Sequence, residues 1–309
     1  MTLLQAIILG IVQGLTEFIP VSSTAHLVIA GRVMKLALTP EQLTASIAVV
    51  QLGTLIAVFI YFAGDIWNIT SAFIRDHLAL LTGKRALSDR PHPSGAAPLG
   101  TPGRASAPPT GAARLSHDAW LGWLVIIGSI PVAAVGLLFR KQIEGAFTKN
   151  LWVIATMMIV VALLLTIAEF VGRQRRRMQD LGLKDALAVG FAQVLALIPG
   201  SSRSGSTIMA GLFAGETRET AARFSFLLSI PAVAASGLLE LKQALRILPH
   251  DSLTTLAVGT IVSGIVGYAS IWFLLRYLRT HTTGVFIGYR LLVGGAILVL
   301  LFSGRLAAL

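Results

Sequence analysis

QGLTEFIPVSSTAH, residues 13–26, and QVLALIPGSSRSG, residues 193–205, are two versions of one pattern. In each, an apolar helical segment runs through Ile-Pro (Ile19-Pro20, Ile198-Pro199) into a Ser-Ser pair (Ser22-Ser23, Ser201-Ser202). Proline interrupts the backbone ladder, and the hydroxyls that follow are good N-caps for a second short helix. Each stretch is therefore expected to be a broken helix inside apolar surroundings. Between them they carry Glu17, His26 and Arg203, and ionisable groups at membrane depth are costly and mark functional sites.

Composition sets the class. Of 309 residues, 55% are hydrophobic and 13% charged, with a mean hydropathy of +0.78, which predicts an all-α, polytopic membrane protein. A spanning helix needs roughly 20 mainly apolar residues. The clearest runs are 43–63, 119–139, 151–168 and 253–275; 224–239 becomes long enough if extended back toward Arg218, and 284–304 is interrupted only by Arg290. About six transmembrane helices are expected. No Lys or Arg precedes Arg32, so the basic start of a secretory signal is missing and the N-terminal segment is expected to stay. The absence of cysteine excludes disulfides and thiolate metal sites. The net charge of +11 sits in loops, as at Arg173, Arg175, Arg176 and Arg177, which favours anionic lipid headgroups over nucleic acid as partner.

Residues 82–118 are rich in Pro, Gly, Ala and Ser and read as a disordered loop. Around it the single membrane domain, 1–309, divides into pseudo-repeats 2–171 and 184–309. Each begins with a broken segment and continues with three apolar spans. If both broken segments are re-entrant, three crossings deliver the second half upside down, as an inverted repeat. Most Lys and Arg then fall on the side of the 82–118 loop, which the positive-inside rule makes cytoplasmic. Glu216, Arg218, Glu219 and Arg223 read as a solvated helix start.

Gln13 and Glu17 share a helix face. Ser22, Ser23 and Thr24 start the next short helix, whose N–H groups and dipole suit an anion, and His26 is close enough along that helix to share the face of Ser22 and Ser23. The second stretch supplies Gly200 for close backbone approach, Ser201, Ser202 and Ser204 as donors, and Arg203 with a planar fork suited to phosphate. Two helix starts and an arginine describe a phosphate clamp. Ser23 is the candidate nucleophile with His26 as its base, and Glu17 the candidate metal ligand or proton acceptor. Direct attack by water, activated by Glu17 or His26, is the variant left open. Gln51 and Arg290 are candidates for lining the site, with packing for Gln51 and a structural partnership for Arg290 as the plainer roles; for Glu17 and Arg203 the plainer role is a structural ion pair.

With these residues in view, the chain resembles the undecaprenyl-diphosphatase family, the bacitracin-resistance type of integral membrane lipid phosphatase. Its (E/Q)xxxE box followed by PVSSxxH appears as Gln13, Glu17, Pro20, Ser22, Ser23 and His26. Its PGxSRSG box appears as Pro199, Gly200, Ser202, Arg203, Ser204 and Gly205. QLGTLIAV from Gln51, FSFLLSIP from Phe224 and Tyr289-Arg290 agree as well. The resemblance implies hydrolysis of undecaprenyl diphosphate to undecaprenyl phosphate, recycling the lipid carrier of peptidoglycan synthesis. It also implies a divalent cation, Mg²⁺ or Ca²⁺, held with Glu17 and Gln13, re-entrant helix pairs, and a site in the bacterial plasma membrane opening to the periplasmic or outer face. A homodimer is compatible with it. Many members have Glu where this chain has Gln13, so a two-carboxylate metal site is not implied here. Acidic residues usual just before QLG and at the position of Arg223 are also absent. The rival from another class is a transporter, a lipid-phosphate flippase or anion/proton exchanger with Glu17 as the proton carrier.

Overall fold

The computed structural model describes residues 1–36, 38–82, 115–139, 150–247 and 253–307; of the segment expected to be disordered, 83–114 lie outside these. Among the described residues eleven α-helices follow one another: α1 Leu3–Phe18, α2 Ser23–Val33, α3 Pro40–Tyr61, α4 Ala63–Leu81, α5 His117–Leu138, α6 Leu151–Val171, α7 Leu183–Val194, α8 Arg203–Phe213, α9 Arg218–Ile247, α10 Leu253–Leu278 and α11 Gly284–Phe302. Six are long and apolar enough to cross a membrane: Gln42–Tyr61, His117–Leu138, Leu151–Val171, Arg218–Leu239, Thr254–Leu278 and Gly284–Phe302. These are the six spans expected, and α9 does extend back to Arg218.

Both proline stretches break their helices, and they do so alike. Helix α1 ends at Phe18 and α2 begins after Ser22, whose hydroxyl accepts from the Ala25 N–H. Helix α7 passes through a 3₁₀ turn, and α8 begins after Ser202, whose hydroxyl accepts from the Gly205 N–H. The two capping serines share a left-handed backbone, φ 78° and 67°, rare for a residue with a side chain. Both second helices run 11 residues.

The first helix of each pair packs on the second span of the other half. A Cβ on Gly10 of α1 would meet the Gly259 carbonyl of α10 at 2.4 Å, and one on Gly14 would meet Val266 at 2.7 Å. A Cβ on Gly190 of α7 would meet the Gly128 carbonyl of α5 at 2.3 Å. Small residues allow such contact where helices must adhere by close packing alone. Gly53 serves the same purpose: α3 runs unbroken through it, with the Thr260 carbonyl 2.0 Å from where its Cβ would stand. Helix α2 lies on α6 and α11 through Ala25, Leu151, Ile154, Ala155, Met158, Ile297 and Leu301, all buried.

One expectation changes, and one helix was not foreseen. The six spans are those expected, but α4 is additional, its Asp65, Arg75 and Asp76 keeping it out of any apolar run. Together with the first residues of α5 it forms a compact unit, 64–123, in which Asp76 accepts from the Ser116 N–H at 2.8 Å and the Trp123 indole donates to His77 at 3.1 Å. The supposed solvated helix start at 216–223 is partly buried. Glu216 is fully buried, both carboxylate oxygens unpartnered among the described residues, and Arg218 pairs with Glu169.

Burial, reinforced by Asp185 and opposed by Arg176, pushes the Glu216 carboxyl up to about 8. An acid raised in the folded state contributes its stability below the unfolded value, near 4.5, and loses it as pH rises through about 8. The midpoint of thermal unfolding in detergent is expected to fall between about pH 5 and 8.5. Glu216→Gln, a neutral mimic, is expected to remove most of that fall; an equal slope in the variant would refute the assignment.

Candidate active site

Glu17 stands at the end of α1, one turn before the break, and Arg203 is the first residue of α8. The folded chain brings them together from 186 positions apart: Arg203 Nη2 donates to Glu17 Oε1 at 2.8 Å. The other carboxylate oxygen, Oε2, accepts from the Ser23 hydroxyl at 2.9 Å and from the Gln13 amide at 3.0 Å. Gln13 Nε2 also lies 3.5 Å from Thr54 Oγ1 on α3. The ion pair is largely buried, its side chains 9% and 13% exposed.

These groups open on a narrow cleft. Glu17, Arg203, Thr54 and Ser229 make its polar part, and Leu55, Val58, Ile230 and Val233 of α3 and α9 make an apolar continuation. Among the described residues Arg203 Nη1 is buried without a hydrogen-bond partner, and so is Gln13 Oε1. Orphaned buried polar atoms are costly, so this site is built with one donor and one acceptor in reserve.

The candidates divide. Gln13, Glu17, Ser23 and Arg203 form one hydrogen-bonded group. His26 does not join Ser23: its Nδ1 lies 2.7 Å from the Ser22 carbonyl and its Nε2 2.7 Å from the Tyr289 hydroxyl. Because a carbonyl only accepts, Nδ1 carries the proton, and Nε2 accepts from Tyr289. The Ser23–His26 pair expected from spacing is therefore replaced by Ser23–Glu17, since i, i+3 proximity says nothing of where an imidazole turns. Ser22 and Ser202 serve as caps. Ser204 is buried, its hydroxyl reaching the Ile19 carbonyl across to the first break at 3.4 Å. Ser201 is buried with its hydroxyl unpartnered, whereas Thr24 is exposed. Gly200 has φ 91°, and a Cβ there would lie 2.2 Å from the Ile154 carbonyl, so only glycine fits the turn.

Arg290 is not a cleft residue. Its side chain is wholly buried and, among the described residues, donates to backbone carbonyls alone. Gln51 also misses the cleft lining; Thr54, one turn on, takes the place assigned to it. Thr54 and Tyr289 are the site neighbours that the sequence reading passed over. The i, i+3 spacing from Gln51 was the available signal for the first, and nothing in a linear reading pairs Tyr289 with His26.

A divalent cation can be tested against these donors. Among the described residues no group of three or more His, Cys, Asp or Glu side chains is gathered, but Glu17 and the orphaned Gln13 oxygen are two oxygen donors on one face. Mg²⁺ is commonly held by one or two protein oxygens plus substrate phosphates and water, so the set fits an ion that arrives with a diphosphate.

The sequence profile described as bacitracin resistance protein BacA matches residues 6–296. Curated relatives called undecaprenyl-diphosphatase are similar over essentially the whole chain. That of Syntrophobacter fumaroxidans is 48% identical over 304 residues, covering 98% of each chain. That of Chlorobium limicola is 47% identical over 318 residues and that of Mycolicibacterium gilvum 43% over 312, both covering 100% of each chain.

Proposed function

This chain belongs to the bacitracin resistance protein BacA family, and from that premise we propose the chemistry of its cleft. The protein is a multi-pass membrane enzyme that hydrolyses undecaprenyl diphosphate to undecaprenyl phosphate and inorganic phosphate. The carrying observation is the Arg203 guanidinium, one arm on Glu17 and the other buried and unpartnered, in a cleft whose walls turn apolar beyond it. A charged head beside an apolar chain is what such a cleft fits.

In the mechanism we favour, Ser23 Oγ attacks the terminal phosphorus and passes its proton to Glu17 Oε2. The bond from that phosphorus to the bridging oxygen breaks, and undecaprenyl phosphate leaves with the electron pair. Water then cleaves the phosphoserine, and Glu17 returns the proton to the departing serine oxygen. Arg203 follows the charge on the transferred and leaving oxygens. His26, fixed in one tautomer by Ser22, borders the same helix start. Gln13 and Glu17 would hold a divalent cation such as Mg²⁺ or Ca²⁺, which when bound supplies charge neutralisation at the phosphoryl group.

The two helix breaks are read as re-entrant pairs in pseudo-repeats 2–171 and 184–309. Their matched caps and the reciprocal packing of α1 on α10 and α7 on α5 support that reading. The basic segment 173–177, with Arg173, Arg175 and Arg177 exposed, supports a cytoplasmic face there, which leaves the cleft to the outer face of the plasma membrane. The transporter alternative is not favoured: a carrier has no use for a serine hydroxyl held on a carboxylate.

Purified protein in detergent, where no gradient exists, is expected to release phosphate from undecaprenyl diphosphate; its failure to do so with or without added divalent cation would reject the reading. Acid-quenched enzyme is expected to carry phosphate on Ser23, and Ser23→Ala to lose about 10³-fold in turnover. Full turnover in Ser23→Ala would instead assign the attack to water.

A further inference from the structure

We propose that Arg290 is a positioning residue for phosphoryl transfer, one that holds both helix breaks by their carbonyls and never touches the diphosphate. Its guanidinium is 0% exposed, and among the described residues no carboxylate pairs with it. Its donors go to five carbonyl oxygens. Nε reaches Met158 at 3.1 Å, Nη1 reaches Pro20 at 3.3 Å, and Nη2 is shared among Met157 at 3.2 Å, Gly200 at 3.0 Å and Ser201 at 3.1 Å.

Three chain segments thus converge on one cation: the first break at Pro20, the second at Gly200 and Ser201, and the middle of α6. An arginine at membrane depth is costly even on the mildest scale. A plain packing role is served by leucine or methionine without that cost. What an arginine does and they do not is satisfy, with one rigid planar fork, the carbonyls of two interrupted helices at once. Those carbonyls are the ones that the breaks leave without regular helical partners. In a planar trans peptide the N–H points opposite to the C=O. Pinning the Ser201 carbonyl therefore directs the Ser202 N–H away from Arg290, and so sets the start of α8, the helix that begins with Arg203. Pro20 is pinned in the same way, two residues ahead of the cap of α2.

The register of the halves supports this. Arg290 is the seventh residue of α11, and Met157 is the seventh residue of α6. The equivalent place in the first half thus presents no second cation but a carbonyl to the first. One arginine serves both breaks because the two third spans lie side by side. Direct binding of substrate is disfavoured by the same contacts, since the side chain is wholly buried and each guanidinium nitrogen already donates to a carbonyl.

The catalytic half of this inference rests on the phosphatase reading; the structural half does not, and the test separates them. Hydrogen–deuterium exchange of the unliganded full chain in detergent would be followed for wild type, Arg290→Lys, Arg290→Met and Arg203→Lys. Arg290→Lys is expected to raise exchange about tenfold or more at 19–25 and 199–206 together, with the long helices unchanged. Arg290→Met should do so further, and Arg203→Lys should do so little. On undecaprenyl diphosphate, Arg290→Lys is expected to lose about 10²-fold in kcat, as for a small misplacement of catalytic groups, with KM within about threefold. Unchanged exchange at both breaks with a raised KM would make Arg290 a substrate ligand and overturn the proposal. Exchange rising throughout the chain, or failure of both variants to fold, would make it merely structural and overturn it too. Wild-type protein that releases no phosphate, with the paired exchange response intact, would instead refute the phosphatase reading.

Discussion

Arg203→Ala is expected to lower phosphate release from undecaprenyl diphosphate by about 10³-fold or more, the loss associated with removing a guanidinium from a phosphoryl-transfer site. The reason lies in its two arms. Nη2 is committed to Glu17 at 2.8 Å, while Nη1 is buried and unpartnered; a dianionic phosphate is the partner that completes it. Breaking a buried ion pair also carries a stability cost of roughly 3–5 kcal/mol, so Arg203→Lys is the necessary companion. It keeps the charge beside Glu17 but has no planar fork, and is expected to retain the fold, with about 10²-fold lower turnover. Turnover within threefold of wild type in either variant would remove Arg203 from the reaction.

Glu17→Gln is expected to cost about 10²–10⁴-fold in kcat, the range for a positioned proton acceptor. The substitution is nearly isosteric, and the amide oxygen can still accept from Arg203, so assembly of the cleft should survive. What it cannot do is take the Ser23 proton. Its amide nitrogen also meets the Gln13 amide, donor against donor, where Glu17 Oε2 accepted two hydrogen bonds. If Glu17 also holds the divalent ion, the Mg²⁺ concentration for half-maximal rate should rise in the variant. An unchanged metal requirement alongside the kcat loss would restrict Glu17 to proton transfer, and an unchanged kcat would return the base to His26 or solvent.

The fold was legible to the extent that it is written in local chemistry. Runs of apolar residues of spanning length located the six spans, because apolar side chains suffice to specify a helix in lipid. Ile-Pro followed by Ser-Ser located both breaks, because proline ends a ladder and serine caps the next. Helix α4 escaped because its charges place it outside any search for apolar runs. Glu216 escaped for the converse reason: a carboxyl flanked by Thr217, Arg218 and Glu219 looks solvated, and its burial goes with the return of the chain at Arg176, whose backbone pairs with that of Glu216 just past the end of α8.

The sequence by itself determined the all-helical membrane class, the two interrupted helices and the residue types that meet a phosphate, since periodicity, length and capping are properties of neighbours along the chain. Only the tertiary structure decided which groups pair. Glu17 takes both Ser23 and Arg203, His26 turns to Tyr289, and Arg290 withdraws from the cleft to hold both breaks, because hydrogen bonds between side chains depend on directions in space that spacing along a helix leaves free.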